Sequence, residues 1–292
     1  MDIYHIAFYR FVSVSDVELG ANGVVDIVRK LASELLGAVL IAAEGINGAL
    51  AGTAAQLDQF ESAMGSDLRL EKLFFGMRYQ RTKCQTAPFR RLKVHLKAEI
   101  VQIGVADVDP SAASTSGANV RPEDWDALIA RDDIVLIDNR NHFEFELGRF
   151  VGAIDPGVSR YQDFARFISE NLADWQAQGK SIAMYCTGGI RCEKTSAWLA
   201  AQNISAYQLD GGILNYLRVK AGAASLWDGA CFVFDNRMAL DKDLSEQVFA
   251  PEAVYRAPED AWRLARAQRL ADSADATAPE QINAAGAQNC LS

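Results

Sequence analysis

Long apolar runs, paired metal-binding motifs and histidine are what this 292-residue chain has least of. No stretch approaches the roughly 18–20 consecutive apolar residues of a membrane helix, and Asp2, His5 and Arg10 interrupt the first apolar segment. A soluble, cytoplasmic protein with no membrane association is expected. The five cysteines, at positions 84, 186, 192, 231 and 290, include no C-x-x-C pair, and only three histidines accompany them. Neither a zinc site nor a disulfide framework is encoded, and a reducing compartment fits best. The formal net charge of -9 argues against a protein that grips polyanions with its whole surface, while leaving room for one basic face. Half the residues are hydrophobic, and about 100–200 residues per domain is typical, so two domains are expected.

The first 105 residues alternate strand and helix. Ile3 to Val14 reads as a strand, and Ser15 to Leu36 as an amphipathic helix opened by a Ser15/Glu18 capping box. Ala38 to Ala43 and Ala49 to Ala51 read as strands about a Gly45–Gly48 turn. Thr53 and Gln56 form a second capping box before a helix carrying Leu57, Phe60 and Met64. Leu73 to Tyr79 and Leu92 to Ile103 read as the remaining strands. The order implies a ferredoxin-like α+β domain over 1–105. Residues 106–120, rich in Asp, Ser, Ala and Gly, read as a linker. From 121 to 222 short apolar strands, Ile134–Ile137, Ile182–Tyr185 and Ala206–Leu209, alternate with helices, the pattern of an α/β parallel sheet covered on both faces, with chemistry at the carboxyl ends of its strands. Residues 223–270 form an extension, with a strand at Cys231–Phe234 and a helix opened by Pro258. Residues 271–292 lack any period and are expected to be disordered.

The segment Tyr185-Cys186-Thr187-Gly188-Gly189-Ile190-Arg191-Cys192-Glu193-Lys194 carries the chemistry. It sets one thiol between a strand end and a helix start, where successive N–H groups and the helix dipole favour a thiolate. A free thiol titrates near ~8.5, and such loops bring it below neutrality. Gly188 and Gly189 are read as supplying the backbone freedom that the turn needs. Cys192 is assigned to packing in the first helical turn rather than to resolving a persulfide. Arg191 is assigned to holding an anion or an RNA phosphate, with a carboxylate partner as the other reading. Asp138, Arg140 and Glu144 are assigned to ion pairs that organise the loop's surroundings. His142 beside Glu144 lacks a second histidine at ligand spacing, and Gly179-Lys180-Ser181 precedes a strand rather than following one, which excludes a phosphate-binding loop.

Asp138-Asn139-Arg140, followed by Glu144, Gly148 and Gly152-Ala153-Ile154, and then the Cys186–Arg191 loop, resemble a rhodanese domain. With Glu44-Gly45-Ile46-Asn47, Asn141-His142-Phe143-Glu144-Phe145-Glu146 and Phe232-Val233-Phe234-Asp235, residues 1 to about 240 resemble the rhodanese-type tRNA uridine hydroxylases. That resemblance implies an acylphosphatase-like N-terminal domain before the rhodanese domain. It also implies oxygen-dependent conversion of the wobble uridine, position 34, to 5-hydroxyuridine. Cys186 matches the family's essential cysteine, implied to pass through a persulfide. Longer members add a cysteine-rich extension, where this chain has only Cys231 and Cys290. No flavin, haem or metal is identifiable; the resemblance implies molecular oxygen as co-substrate, with an unidentified electron donor. The expected partner is a tRNA anticodon loop, with a sulfur donor as a further possibility and no stable protein partner.

The charges supply an independent reason to expect RNA. Between Glu71 and Glu99 there is no acidic residue, while Lys72, Arg78, Arg81, Lys83, Arg90, Arg91, Lys93 and Lys97 alternate with Phe74, Phe75, Tyr79 and Phe89. Basic groups for phosphates and aromatic faces for unpaired bases suit a single-stranded loop. Arg78, Arg81, Lys83, Arg90, Arg91, Lys93 and Lys97 are therefore the expected RNA contacts. The stripe Arg263, Arg266 and Arg269 reads as an exposed helix face. Against a hydroxylase stand a plain sulfurtransferase, which has no use for the basic segment, and a cysteine phosphatase, which uses a roomier C-x5-R loop. An RNA-binding module without catalysis would leave the cysteine loop without a role.

Overall fold

A computed structural model describes residues 2–14, 19–85, 87–106, 108–110 and 117–275. The N-terminal domain is built in the order β1 (Ile3–Phe11), α1 (Gly20–Leu31), β2 (Leu36–Ala42), β3 (Gly45–Gly52), α2 (Ala54–Ser66), α3 (Glu71–Phe74), β4 (Tyr79–Cys84) and β5 (Leu92–Leu96). Its sheet has the order β4-β1-β3-β2-β5, antiparallel except for the β2–β5 pair. This is the expected ferredoxin-like arrangement with one strand added at an edge. Strand periodicity divides β1 between two faces. Ile6 and Phe8 pack with Val24 and Val28 of α1 and Leu57 and Phe60 of α2, whereas His5, Tyr9 and Phe11 point the other way.

Several boundaries differ from those read in the sequence. The helix expected to run to Leu36 stops at Leu31 because Leu36 opens β2, and the Ser15/Glu18 cap lies outside the described residues. The Thr53/Gln56 box is formed as expected, with Gln56 N–H donating to Thr53 Oγ1 at 3.3 Å. Leu73–Tyr79 is not a strand: Leu73 and Phe74 enter the core from the short helix α3, and the strand begins at Tyr79. The strand expected through Ile103 ends at Leu96.

The second domain continues with β6 (Gly117–Val120), α4 (Pro122–Ile129), β7 (Ile134–Asp138), α5 (His142–Leu147), β8 (Gly148–Phe150), α6 (Phe164–Ala177), β9 (Ser181–Tyr185), α7 (Ile190–Ala200), β10 (Ala206–Leu209) and α8 (Gly212–Val219). Strands β6-β10-β9-β7 form an all-parallel sheet. Four residues assigned to the linker are therefore an edge strand, too short and polar to stand out in the sequence. The extension adds β11 (Trp227–Gly229), which pairs with β8, and a small sheet of β12 (Cys231–Phe232), β13 (Ala239–Leu240) and β14 (Glu246–Gln247). Both domains and this part of the extension pack as one unit, Met1–Phe249; Ala250–Ser292 forms a second. Within the latter, α9 (Pro251–Val254) is followed by α10 (Ala261–Asp275), so the tail expected to be disordered from 271 is helical through Asp275. Arg263 pairs with Asp260 there rather than standing in a free stripe. Among the described residues no helix is long and apolar enough to cross a membrane.

Candidate active site

Cys186 leaves the carboxyl end of β9, the central position of the parallel sheet beside β7 and β10. The Gly189 N–H donates to its Sγ at 3.1 Å. Gly189 adopts φ +104°, and a Cβ there would lie 2.9 Å from the Tyr9 hydroxyl, so both its conformation and its neighbour demand glycine. Gly188 has neither requirement: a Cβ on it would meet nothing within 4 Å. The second indispensable glycine is Gly212, which the sequence reading did not assign to the site. At φ +67° its missing Cβ would fall 2.4 Å from the Cys186 carbonyl oxygen. That close approach lets Ile213 N–H donate to Cys186 O at 3.0 Å and Leu214 N–H to Thr187 O at 3.1 Å. The start of α8 thus satisfies the loop's carbonyls and leaves its amides to the sulfur.

Cys186 is 1% exposed. Burial pushes its acidity toward the neutral thiol, but the Cys192 thiol's hydrogen bond, the Arg191 charge and the N–H groups of Cys192 and Gly189 outweigh it and bring Cys186 down to about 5. A thiolate is thus the resting form at neutral pH. Cys192 moves the opposite way, well above the ordinary thiol value, because of burial and of its bond to the Cys186 sulfur. It is packed, as the sequence suggested, but it also serves as a donor to its partner cysteine.

Arg191 does not present a free guanidinium to an anion. Its Nη1 and Nη2 donate to the two oxygens of Glu144, each at 2.8 Å, and Glu144 also accepts from the Asn141 N–H at 3.1 Å. The carboxylate is held below its ordinary range: burial opposes ionisation, yet the charges of Arg191 and Arg140 and the hydrogen bonds prevail. Asp138 and Arg140 form a second, fully buried pair at 2.6–2.8 Å, and Arg140 also donates to Gly148 O. Its guanidinium lies over the rings of Trp227 and Tyr185. Thr187 and Ile190 complete the loop, the Thr187 hydroxyl facing Glu144 at 3.5 Å. His142 binds Asp155 through Nδ1 at 2.6 Å.

Residues far away in sequence hold the loop against the first domain. The Tyr9 hydroxyl donates to Glu193 at 2.8 Å. Lys194 Nζ, on a side chain only 2% exposed, donates to Glu44 at 2.8 Å, to Glu99 at 2.5 Å and to Val101 O at 2.8 Å. The Ile100 N–H donates back to Glu44 at 2.7 Å, and Ile103 packs in the same cluster as Cys186, Cys192 and Tyr161. Sequence reasoning gave none of Tyr9, Glu44, Glu99, Glu193 or Lys194 a role. The available signal was that Glu44 and Glu193-Lys194 fall inside the quoted family motifs.

The basic segment does not form one face. β4, with Arg81 and Lys83 and with Arg78 immediately before it, and β5, with Lys93, are opposite edges of the five-stranded sheet. Arg78 pairs with Asp210 at 3.0 Å, Arg81 with Asp58 and Glu61 at 2.7 Å, and Lys83 with Asp2 at 2.8 Å. Phe74 and Tyr79 belong to the core, Phe89 stacks on His5, and of the four aromatics only Phe75 is largely exposed, at 74%. Arg90, Arg91 and Lys97 lie outside β4: the Arg91 carbonyl accepts from the Gly37 N–H of β2, and the Lys97 N–H donates to Ile41 O of the same strand.

An ionised cysteine at the carboxyl end of a parallel strand, clasped by an α+β domain, defines a rhodanese-type thiolate site in a two-domain setting. Residues 3–100 match the family described as UPF0176 acylphosphatase like domain, and residues 121–218 match the rhodanese-like domain. A tRNA uridine(34) hydroxylase of Synechococcus elongatus is 44% identical over 84% of this chain and 87% of its own length. Proteins of the same description from Legionella pneumophila and Anaplasma marginale are 39% and 40% identical, over 83% and 82% of this chain and 92% and 83% of theirs. The chain belongs to the tRNA uridine(34) hydroxylase family.

Proposed function

We propose that this protein hydroxylates uridine 34 of tRNA at C5 with Cys186 as the nucleophile. Family membership over most of the chain supports the reaction, and the observation that carries the mechanism is the Cys186 sulfur at the carboxyl end of β9, accepting from the Gly189 N–H at 3.1 Å. The thiolate adds to C6 of the uracil, which makes C5 the nucleophilic carbon. C5 takes one oxygen atom derived from O2; the other leaves as water with two electrons from a donor outside the chain and two protons from solvent. Loss of the C5 proton to solvent and departure of the thiolate restore the ring. This route needs neither a sulfur donor nor a stable protein partner, and its tRNA substrate sets it in the cytoplasm. Because Cys186 is buried, the base must be splayed from its stack and the loop's cover must yield, which costs least in an unpaired anticodon loop.

The rhodanese match supports a second reading, transfer of sulfane sulfur through a Cys186 persulfide. Nucleoside mass spectrometry of tRNA separates the two. A deletion strain is expected to lose 5-hydroxyuridine, to regain it with the wild-type gene and not to regain it with Cys186→Ser. Unchanged 5-hydroxyuridine in the deletion strain, with loss of a thiolated product instead, would establish sulfur transfer.

A further inference from the structure

The two domains meet over the cysteine loop at Tyr9 and Glu193. Glu193 stands early in α7, one residue after Cys192, whose N–H helps hold the Cys186 sulfur. Tyr9 reaches across from β1. Its hydroxyl donates to Glu193 Oε2 at 2.8 Å and would lie 2.9 Å from a Cβ on Gly189, the residue whose amide donates to that sulfur at 3.1 Å. Tyr9 and Glu193 are half-buried, as are Thr187, Gly188 and Ile190 of the loop, and the space beside Gly188 is open. The pair therefore sits at the rim of the loop and is not sealed beneath it.

Glu193 differs from the other carboxylates gathered here. Glu144 is paired with Arg191, Asp138 with Arg140, Glu44 and Glu99 with Lys194, and Asp210 with Arg78. Glu193 forms no ion pair among the described residues, and its side-chain donor is a phenol. Burial raises it above the ordinary carboxyl range; the Tyr9 bond and the Arg78 charge oppose the rise, and the charges of Asp210 and Cys186 add to it. A partly exposed carboxyl that keeps its proton more firmly, within the field of a thiolate, is suited to proton transfer.

The reaction proposed above needs such a group, because C5, the carbon bonded to C6, must shed its proton before the ring is restored. We propose that Glu193 is the acid–base group for C5 of the target uridine, and that the site therefore exchanges the C5 hydrogen of that uridine with water when oxygen and electrons are withheld. The inference rests on the Cys186 reading and adds to it a residue and an activity. The Cys186 thiolate bonds to C6, and the electron pair of the C5–C6 double bond takes the proton of the Glu193 carboxylic acid onto C5. The carboxylate so formed removes the other C5 hydrogen, the freed pair rebuilds the double bond, and the C6–S pair departs as thiolate. Glu193 then trades the proton it took for one from water. No oxidant or reductant is consumed.

The test incubates the full chain with an anticodon stem-loop RNA carrying the target uridine, without oxygen and in D2O, and reads deuterium in the nucleosides by mass spectrometry. The wild-type protein is expected to place one deuterium on the target uridine, and Cys186→Ser none. Glu193→Gln should slow the exchange roughly a hundredfold or more, with RNA affinity and the Cys186 thiolate absorbance at neutral pH retained. Glu193→Asp, whose carboxyl stands one methylene back, should fall between the two. Wild-type exchange in Glu193→Gln, or a loss that only follows a loss of RNA binding, would overturn the assignment. A wild-type protein that restores 5-hydroxyuridine in the deletion strain yet exchanges no C5 hydrogen would overturn the inference and leave the hydroxylation standing. Exchange that depends on Glu193, without 5-hydroxyuridine in cells, would keep Glu193 at C5 and remove the hydroxylation.

Discussion

Replacing Cys192 with alanine tests whether the acidity of Cys186 is built as the geometry indicates. Burial alone would raise this thiol; what lowers it, in order, is the Cys192 thiol, the Arg191 charge and the amides of Cys192 and Gly189. Cys192→Ala keeps the amides and the Arg191–Glu144 pair and removes only the S–H donor. A hydrogen bond to a charged group contributes ~1.5–3 kcal/mol, and a thiol is a weak donor, so the lower end applies, about one pKa unit at 1.36 kcal/mol per unit. The Cys186 midpoint should therefore move from about 5 to roughly 6 or slightly above. At pH 6 the thiolate fraction would fall from about nine-tenths to about half.

The thiolate's ultraviolet absorbance reads this directly. Burial raises Cys84 to about 11 and Cys231 to about 12, and Cys192 lies well above the ordinary thiol value, so none of them ionises between roughly pH 4 and 8. Cys290 lies outside the described residues and is replaced by serine in every protein compared. Cys192→Ser restores a donor and should move the midpoint less than alanine does. If alanine leaves the midpoint where it is, the S–H is not a donor and the account of the loop's electrostatics fails.

Gly189→Ala forces a left-handed residue against the Tyr9 hydroxyl and should cost ~1–3 kcal/mol while raising the Cys186 midpoint; Gly188→Ala, in open space, should change neither, as thermal unfolding and the same titration will show. Glu144→Gln leaves Arg191 buried without its counter-charge and should lower stability by ~3–5 kcal/mol at neutral pH. Because Glu144 is held below its ordinary value in the folded protein, the stability it supplies is present above the unfolded carboxylate pKa and lost as pH falls through the folded one. The gap between wild type and variant in urea midpoints should accordingly close in acid, and equal midpoints at neutral pH would refute the pair's role.

What was legible in the sequence was what short-range physics decides. The Thr53/Gln56 cap is a contact across one helical turn, and the Gly189 N–H that reaches the Cys186 sulfur lies only three residues beyond it. Ile134–Ile137 and Ile182–Tyr185 were recognisable because strands buried on both faces must be continuously apolar. Leu73–Tyr79 was misread for the reason that a short apolar run has no period of its own: Leu73 and Phe74 reach the core equally well from a helical turn. Nothing local announced that Glu44 would meet Lys194, since the pair joins residues 150 positions apart.

The basic segment shows why charge in a sequence differs from charge in space. Three strands separate β4 from β5, and at ~4.8 Å per step the two edges lie roughly 19 Å apart, well beyond the ~8 Å over which exposed charges act together at physiological salt. Each of Arg78, Arg81 and Lys83 is also answered by a carboxylate, so the run sums to little at any one place. The N-terminal domain bears on the sulfur instead through Tyr9, Glu44 and Gln80, side chains on the sheet face or its turn that grip α7 and the start of α8. Substitutions of Lys83 or Lys93 should therefore weaken RNA binding far less than substitutions at the seam where the two domains meet around the cysteine loop, as titration of a fluorescent anticodon stem-loop will show.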